Sequence, residues 1–350
     1  MSSTRPSDAG GTPPDHHQLL ADIATSYYLE NESKVEIAKA HGISRFQVAR
    51  YLDEARREGV VTITIKRPVP HPGDLDALAA ALGVASIEVA RVPGAGEEAR
   101  DMVARAAAGL LADLARSGNT IGVSWSRTLN LMASHLPGLP GCDMVQLAGD
   151  LTVGNDGGSG QLLHRLGAVA GGRTWPLPAP LVVESAQTAE SLRRQPEVSE
   201  ALRRADHLDL AVVALGTWAA GHSTVWARLT EDERRTAAEA GAVAECSGRL
   251  LTEDGEPVDG GVDSRVMAVS IAQLRKTPAV IAVATGATGL PGVLAAVKAG
   301  IVRHLVVDAE LAGALAARLG IEGPEAPGGP GQGAAVDTGG PSAAAGESKR

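Results

Sequence analysis

AVIAVATGATGLPGVLAAVKAG, from Ala279 to Gly300, is the stretch on which the fold turns. An apolar run ends in a loop holding Gly286, Gly289 and Gly292, with Thr285 just before them and Thr288 among them, and a helical pattern follows. A run apolar throughout predicts a strand buried on both faces, and the glycines predict a tight strand-to-helix turn. The loop alone leaves its role open, because such turns hold nucleotides, serve catalytic sites or simply pack.

Outward from it the same alternation recurs. VASIEVARV (84–92), TIGVSW (120–125), MVQLAG (144–149), LDLAVVALG (208–216) and the start of HLVVDAELAGALAARLG (304–320) predict strands. EEARDMVARAAAGLLADLARSG (97–118), TLNLMASHL (128–136), LPGVLAAVKAG (290–300) and the end of the last stretch predict helices. Apolar strands alternating with helices define an α/β class with a mostly parallel sheet covered on both faces. Ligands in such sheets lie beyond the carboxyl ends of the strands, where the quoted loop falls.

The 350 residues bound the chain to two or three domains, and 44% hydrophobic content supplies a full core. Aromatic content of 2% means that Ala, Val, Leu and Gly fill that core. The longest apolar runs fall far short of the ~18 residues of a membrane span. The opening MSSTRPSDAGGTPPD is polar and lacks the apolar region of a secretory signal. A cytoplasmic protein with no membrane partner is expected. Cys142 and Cys246 stand far apart with no ligand pattern, and the histidines are scattered. Two reduced, packed thiols are expected, with no disulfide framework, no metal and no cofactor.

Charge is uneven. Residues 33–67 hold eight Lys/Arg against four Asp/Glu, whereas the rest holds 24 against 37, within a net charge of −9. A small basic segment on an acidic body points to a local nucleic-acid footprint. The domain reading follows composition: a disordered lead over 1–14, a compact helix-rich domain over 15–66, a Pro-rich linker over 67–74, an α/β domain over 75–322, and a Gly/Pro/Ala-rich disordered tail over 323–350.

Within the helix-rich domain, SKVEIAKAHGISRFQVARYLDEARREG (33–59) carries two capping-box patterns, Ser33 with Glu36 and Ser44 with Gln47. Gly42 turns the chain between them, Ala38 is small where the helices cross, and Ile37, Ile43, Val48 and Leu52 share the interior. The pattern predicts a helix-turn-helix whose recognition helix starts at Ser44, rather than a generic helical hairpin. Its candidate DNA-binding residues are Lys34, Ser44, Arg45, Gln47 and Arg50: Arg suits guanine, Gln suits adenine, and Lys34 suits phosphate. Phe46 is read either as a contact to a thymine methyl or as packing within the domain. VVTITIKRP (60–68) predicts a short strand or wing.

With both parts in view, the chain resembles the SorC-type, DeoR-related transcriptional regulators with a sugar-binding domain. The stretches that carry this are EIAKAHGISRFQVARYLDEARREGVV, GNTIGVSWSRTL (118–129), DMVQLAGDL (143–151), LDLAVVALGTW (208–218), GAVAECSGRLLTEDGEPV (241–258), DSRVMAVSIAQLRKTP (263–278) and VIAVATGATGLPGVLAAVKAG, in that order. The resemblance implies a large domain similar in fold to ribose-5-phosphate isomerase and glucosamine-6-phosphate deaminase, acting as a sensor instead of an enzyme. It also implies a sugar, polyol or sugar-phosphate effector, a palindromic double-stranded DNA operator, and a homo-oligomer, either dimer or tetramer.

The same resemblance places effector-binding residues after the strands. Ser124, Ser126, Arg127 and Thr128 follow the GVSW strand, where hydroxyls, backbone N–H groups and a guanidinium suit an anion; ordinary N-capping by Ser126 with Arg127 in solvent is the alternative. Gln146 is read as a hydroxyl ligand or as a buried amide bonded to backbone, and Asp263 as a hydroxyl acceptor or a cap. Gly216 and Thr217 lie at another strand end. Thr285, Gly286, Thr288 and Gly289 come from the quoted loop, and Gly289 stands where many relatives place a phosphate-binding lysine. An unphosphorylated or weakly charged effector is therefore expected. An isomerase- or deaminase-like enzyme needs a positioned general base and a lysine or acid near a sugar phosphate; the strand-end stretches show no paired carboxylates on adjacent loops, and the loop lysine is missing. A regulator that has lost effector binding is a further reading.

Overall fold

The computed structural model describes residues 16–61, 72–90, 96–150, 158–258 and 261–321. The chain divides into two compact units, Met1–Lys66 and Arg67–Arg350. The lead, the wing beyond Val61, most of the linker and the tail fall outside the described residues.

The small unit holds three helices, α1 (His16–Tyr28), α2 (Lys34–Ala40) and α3 (Arg45–Arg57). Both capping boxes form as the sequence predicts. Ser33 Oγ accepts from Glu36 N while the Glu36 carboxylate accepts from Ser33 N at 2.8 Å; Ser44 and Gln47 repeat the exchange at 3.2 and 2.8 Å. Two otherwise orphan N–H groups per helix are thereby satisfied, which fixes where α2 and α3 begin. Gly42 turns between them at φ +65°. Leu20, Ile23, Ile37, Val48, Leu52 and Ala55 bury the shared interior, with Tyr27, Tyr28 and Tyr51 packed at its margin.

The large unit opens with α4 (Pro72–Leu82), which starts inside the segment expected as linker. Along the chain follow β1 (Ser86–Ala90), α5 (Glu97–Leu114), β2 (Thr120–Val123), α6 (Arg127–His135), β3 (Cys142–Gln146), α7 (Ser159–Ala170) and β4 (Gly171–Trp175). Next come α8 (Ala186–Arg193), α9 (Pro196–Arg204), β5 (Leu210–Thr217), α10 (Glu231–Glu239), β6 (Ala242–Cys246), β7 (Arg249–Thr252), α11 (Ile271–Lys276), β8 (Ala279–Ala284), α12 (Leu290–Lys298), β9 (His304–Asp308) and α13 (Ala309–Leu319). The strands lie in the order β1-β9-β8-β5-β2-β3-β4, all parallel. Period-two alternation sorts the side chains between the two faces. Leu210, Val212, Ile281 and Val283 pack under α5 and α6, while Ala211, Val213, Val280 and Ala282 pack under α4, α12 and α13.

β6 and β7 depart from the parallel pattern. They form an antiparallel hairpin added to the end of β5, with Gly216 opposite Glu245. Ser247 and Gly248, at φ 50° and 86°, make its two-residue turn. Both cysteines are free and buried. Among the described residues, no helix is long and apolar enough to cross a membrane and no cluster of potential ligands could hold a metal ion.

Candidate functional site

From β2 the chain runs outward through β3 and β4, then returns to β5 on the other side of β2 and runs outward through β8 and β9. The reversal puts a crevice between the carboxyl ends of β2 and β5, where open α/β sheets bind ligands. A cleft of about 770 Å³ lies there. It is lined by Trp125, Ser126, Arg127 and Thr128 after β2, by Gly216 and Thr217 at the end of β5, and by Thr285, Gly286, Thr288 and Gly289 after β8. Nine of the twelve sequence-expected effector residues thus converge on one cavity.

The other three are used elsewhere. Ser124 is buried and its Oγ accepts from Ala214 N at 3.3 Å, pinning β2 to β5. Gln146 is buried with its Nε2 donating to Ala148 O at 2.8 Å and its Oε1 accepting from Leu177 N at 3.3 Å. Asp263 faces Arg249, whose buried guanidinium pairs with its carboxylate at 2.8 Å and donates to the carbonyls of Asp263, Ala268 and Val269. A buried Arg is tolerable because every arm has an acceptor, so Asp263 completes a structural clamp rather than lining the cleft.

The quoted loop owes its shape to two ties. Gly286 N donates to Asp308 Oδ2 at 2.7 Å, while the other Asp308 oxygen caps α13 through Leu311 N at 2.9 Å. Thr217 Oγ1 donates to Thr288 O at 2.6 Å, joining the ends of β5 and β8. Gly292 has a packing role: a Cβ there would stand 2.8 Å from Gly216 O, so only glycine lets α12 approach β5 this closely. Ser126 caps α6 by accepting from Leu129 N at 3.0 Å, and Arg127 projects exposed at the cleft beside it.

Several cleft residues were not singled out from the sequence. Glu245 on β6 is only 6% exposed and accepts from the Ser223 and Thr224 hydroxyls and from Val225 N. One carboxylate therefore anchors the loop carrying His222, Ser223, Thr224 and Arg228 over the cavity. An acid inside the otherwise apolar strand AVAEC was its signal. Arg100 and Glu310 also line the cleft, so three arginines, with Arg127 and Arg228, and three acidic residues, with Glu245 and Asp308, lie around it. The strand-end stretches showed no paired carboxylates; the fold does bring Glu245 and Asp308 to one cavity, each already engaged.

In the small unit, Arg45 lies 4.9 Å from the Phe46 ring, Arg50 5.4 Å from the Tyr51 ring and Lys34 5.5 Å from the Tyr27 ring. Ser44 and Gln47 are committed to the capping box.

A doubly wound, mostly parallel sheet with a polar cleft over its reversal point defines a small-molecule-binding α/β domain. The Sugar-bind family model, a sugar-binding domain, matches residues 75–317, and the chain belongs to this family. A transcriptional regulator of Escherichia coli (strain K12), YjhU, is 29% identical over 300 residues, covering 81% of this chain and 89% of that protein. The sorbitol operon regulator of Klebsiella pneumoniae is 24% identical over 308 residues, covering 85% and 97%. The crystal structure of the full-length sorbitol operon regulator SorC from Klebsiella pneumoniae matches with a TM-score of 0.63 at 21% identity, covering 85% of this chain and 98% of that one. The likeness to SorC-type regulators read from the sequence is upheld, and so is the mostly parallel α/β fold.

Proposed function

We propose that this chain is a DNA-binding transcriptional regulator whose operator affinity is set by a small carbohydrate-type effector held in the cleft. The carrying observation is the pairing, in one chain, of a doubly capped two-helix module with the family's cleft-bearing domain. Lys34, Arg45 and Arg50 supply phosphate and base contacts, and the Ser44–Gln47 box sets the recognition helix in register. Around the effector, Thr128, Thr217, Thr285 and Thr288 offer hydroxyls, and Arg127 offers a two-pronged donor. The balanced charge of the cleft suits a polyhydroxylated molecule carrying little net charge, in keeping with Gly289 at the lysine position.

The chain acts as a sensor and not as an enzyme. Glu245, the buried carboxylate nearest to a catalytic base, is spent on three donors of its own loop. The regulator works in the cytoplasm as a homo-oligomer on a palindromic operator, since two half-sites need two symmetry-related recognition helices.

A thermal-shift screen of sugars, polyols and their phosphates tests the effector, because stabilisation follows affinity for the folded state. Stabilisation by an uncharged polyol or sugar is expected, and it should shrink in Arg127→Ala if that guanidinium touches the ligand. Selective stabilisation by a sugar bisphosphate would contradict the charge reading, and turnover of any hit would contradict the sensor reading. Operator binding should weaken steeply with salt; a flat response contradicts phosphate contacts.

A further inference from the structure

Among the described residues three large hydrophobic side chains stand exposed, Leu29, Val35 and Phe46; all belong to the small unit and the large unit shows none. Phe46 is the chain's only phenylalanine and is 74% exposed in the first turn of α3, so the packing reading of this ring does not hold. A ring left in water on the turn that enters a groove asks for an apolar partner there.

The surroundings say which partner. Arg45 and Arg50 flank the ring in the first turns of α3, and the first acidic residue of the helix, Asp53, lies two turns on and is paired with Arg56, so the end of α3 that carries Phe46 suits a polyanion rather than a second apolar protein surface. The Arg45 guanidinium rests against the Phe46 ring at 4.9 Å, which holds the two side chains as one unit. Gln47, the residue whose chemistry suits adenine, has its amide oxygen engaged by Ser44 N at 2.8 Å. The capping box takes one of the two lone pairs of that oxygen and turns the amide back towards Ser44, so a bidentate contact to adenine competes with the cap. The apolar feature of the major groove is the thymine C5-methyl.

We infer that Phe46 is a specificity-determining residue that reads a thymine methyl in each operator half-site, with Arg45 stacked on its ring and aimed at the neighbouring base. This rests on the DNA-binding reading above. The methyl lies on the thymine of an A·T pair, so Phe46 reads that pair from its thymine side.

The test uses the full-length assembled protein and a duplex selected from a randomised pool. Each thymine of a half-site is replaced in turn by uracil, which removes the methyl and nothing else. For the wild type, one replacement per half-site should weaken binding about fourfold, the worth of one methyl taken from water. In Phe46→Ala the same replacement should cost nothing further, with the salt slope unchanged; Phe46→Leu should restore part of the uracil penalty. Exposure of the side chain keeps these variants folded, which circular dichroism checks. Three results would overturn the inference: uracil tolerated at every position by the wild type, a uracil penalty that persists undiminished in Phe46→Ala, or a change of oligomeric state in Phe46→Ala with unaltered base preference. Selection of no sequence by the wild type would overturn the DNA-binding reading itself, and is thereby distinguished from failure at Phe46 alone.

Discussion

The two units use their aromatic residues in opposite ways. All three tyrosines and the single phenylalanine lie in the small unit, and all four tryptophans lie in the large one. The small unit covers a slender interior with tyrosines and leaves Phe46 in solvent. The large unit fills a two-faced core with Val, Leu, Ile and Ala, and keeps Trp125 at the wall of its cleft. On the reading proposed above, the small unit meets DNA on the helix that exposes Phe46, and the large unit meets its effector in the cleft between strand ends. The difference also gives each unit its own optical signal.

The largest expected effect breaks the small unit alone. Ile37 is fully buried there among few other core residues, and Ile37→Ala should cost about 2–5 kcal/mol. Melting followed by tyrosine signal should fall steeply, while the tryptophan transition of the large unit stays put. A joint shift of both signals would mean that the two units do not fold independently. Next in size, Arg45→Ala should weaken operator binding by about 1–3 kcal/mol and leave effector-induced tryptophan fluorescence unchanged, as titrations of DNA and effector would show.

Of comparable size but on the other unit, Gly292→Ala puts a methyl 2.8 Å from Gly216 O and should destabilise the large unit by about 1–3 kcal/mol, with weaker effector binding. Calorimetry would reveal it, and an unchanged melting temperature would show that α12 can retreat from β5. Smallest is a pH effect. A backbone hydrogen bond from Thr230 first, and Arg265 beside it, hold the Glu233 carboxyl below its usual 4.5. A lowered folded-state value means stability that is present above 4.5 and fades as the pH falls below it. Glu233→Gln should flatten that acid limb by about 0.2–1 kcal/mol, the range of a partly exposed pair.

Strong local signals were legible in the sequence. The capping boxes at Ser33 and Ser44 and the apolar runs of β5 and β8 each state their structure within a dozen residues. Antiparallel β6 and β7 were not legible as strands, because each is short and their Ser247–Gly248 turn declares itself only through backbone angles. At the cleft, residues directly after parallel strands were found because strand ends mark ligand sites whatever the side chain. Glu245 was missed since it arrives on a strand running the other way. Gln146 and Asp263 stood in the right stretches, but Ala148 with Leu177 in one case and Arg249 in the other claimed their polar atoms. The Gln146–Leu177 and Arg249–Asp263 pairings join residues 31 and 14 positions apart and are set by packing rather than by local pattern. Cys246 shows the same influence: burial pushes its thiol up to about 12, so a residue unremarkable in sequence is an inert core group.

Regulation of this kind requires coupling between the DNA-binding helix α3 and the cleft. Its most direct test is the operator dissociation constant of the full-length protein, measured at fixed salt with and without a saturating effector found by thermal shift. A change of about 5- to 150-fold is expected, the usual span of allosteric coupling, and it disappears in any cleft variant that no longer binds the effector. An effector that saturates the cleft and leaves the operator constant unmoved would contradict it.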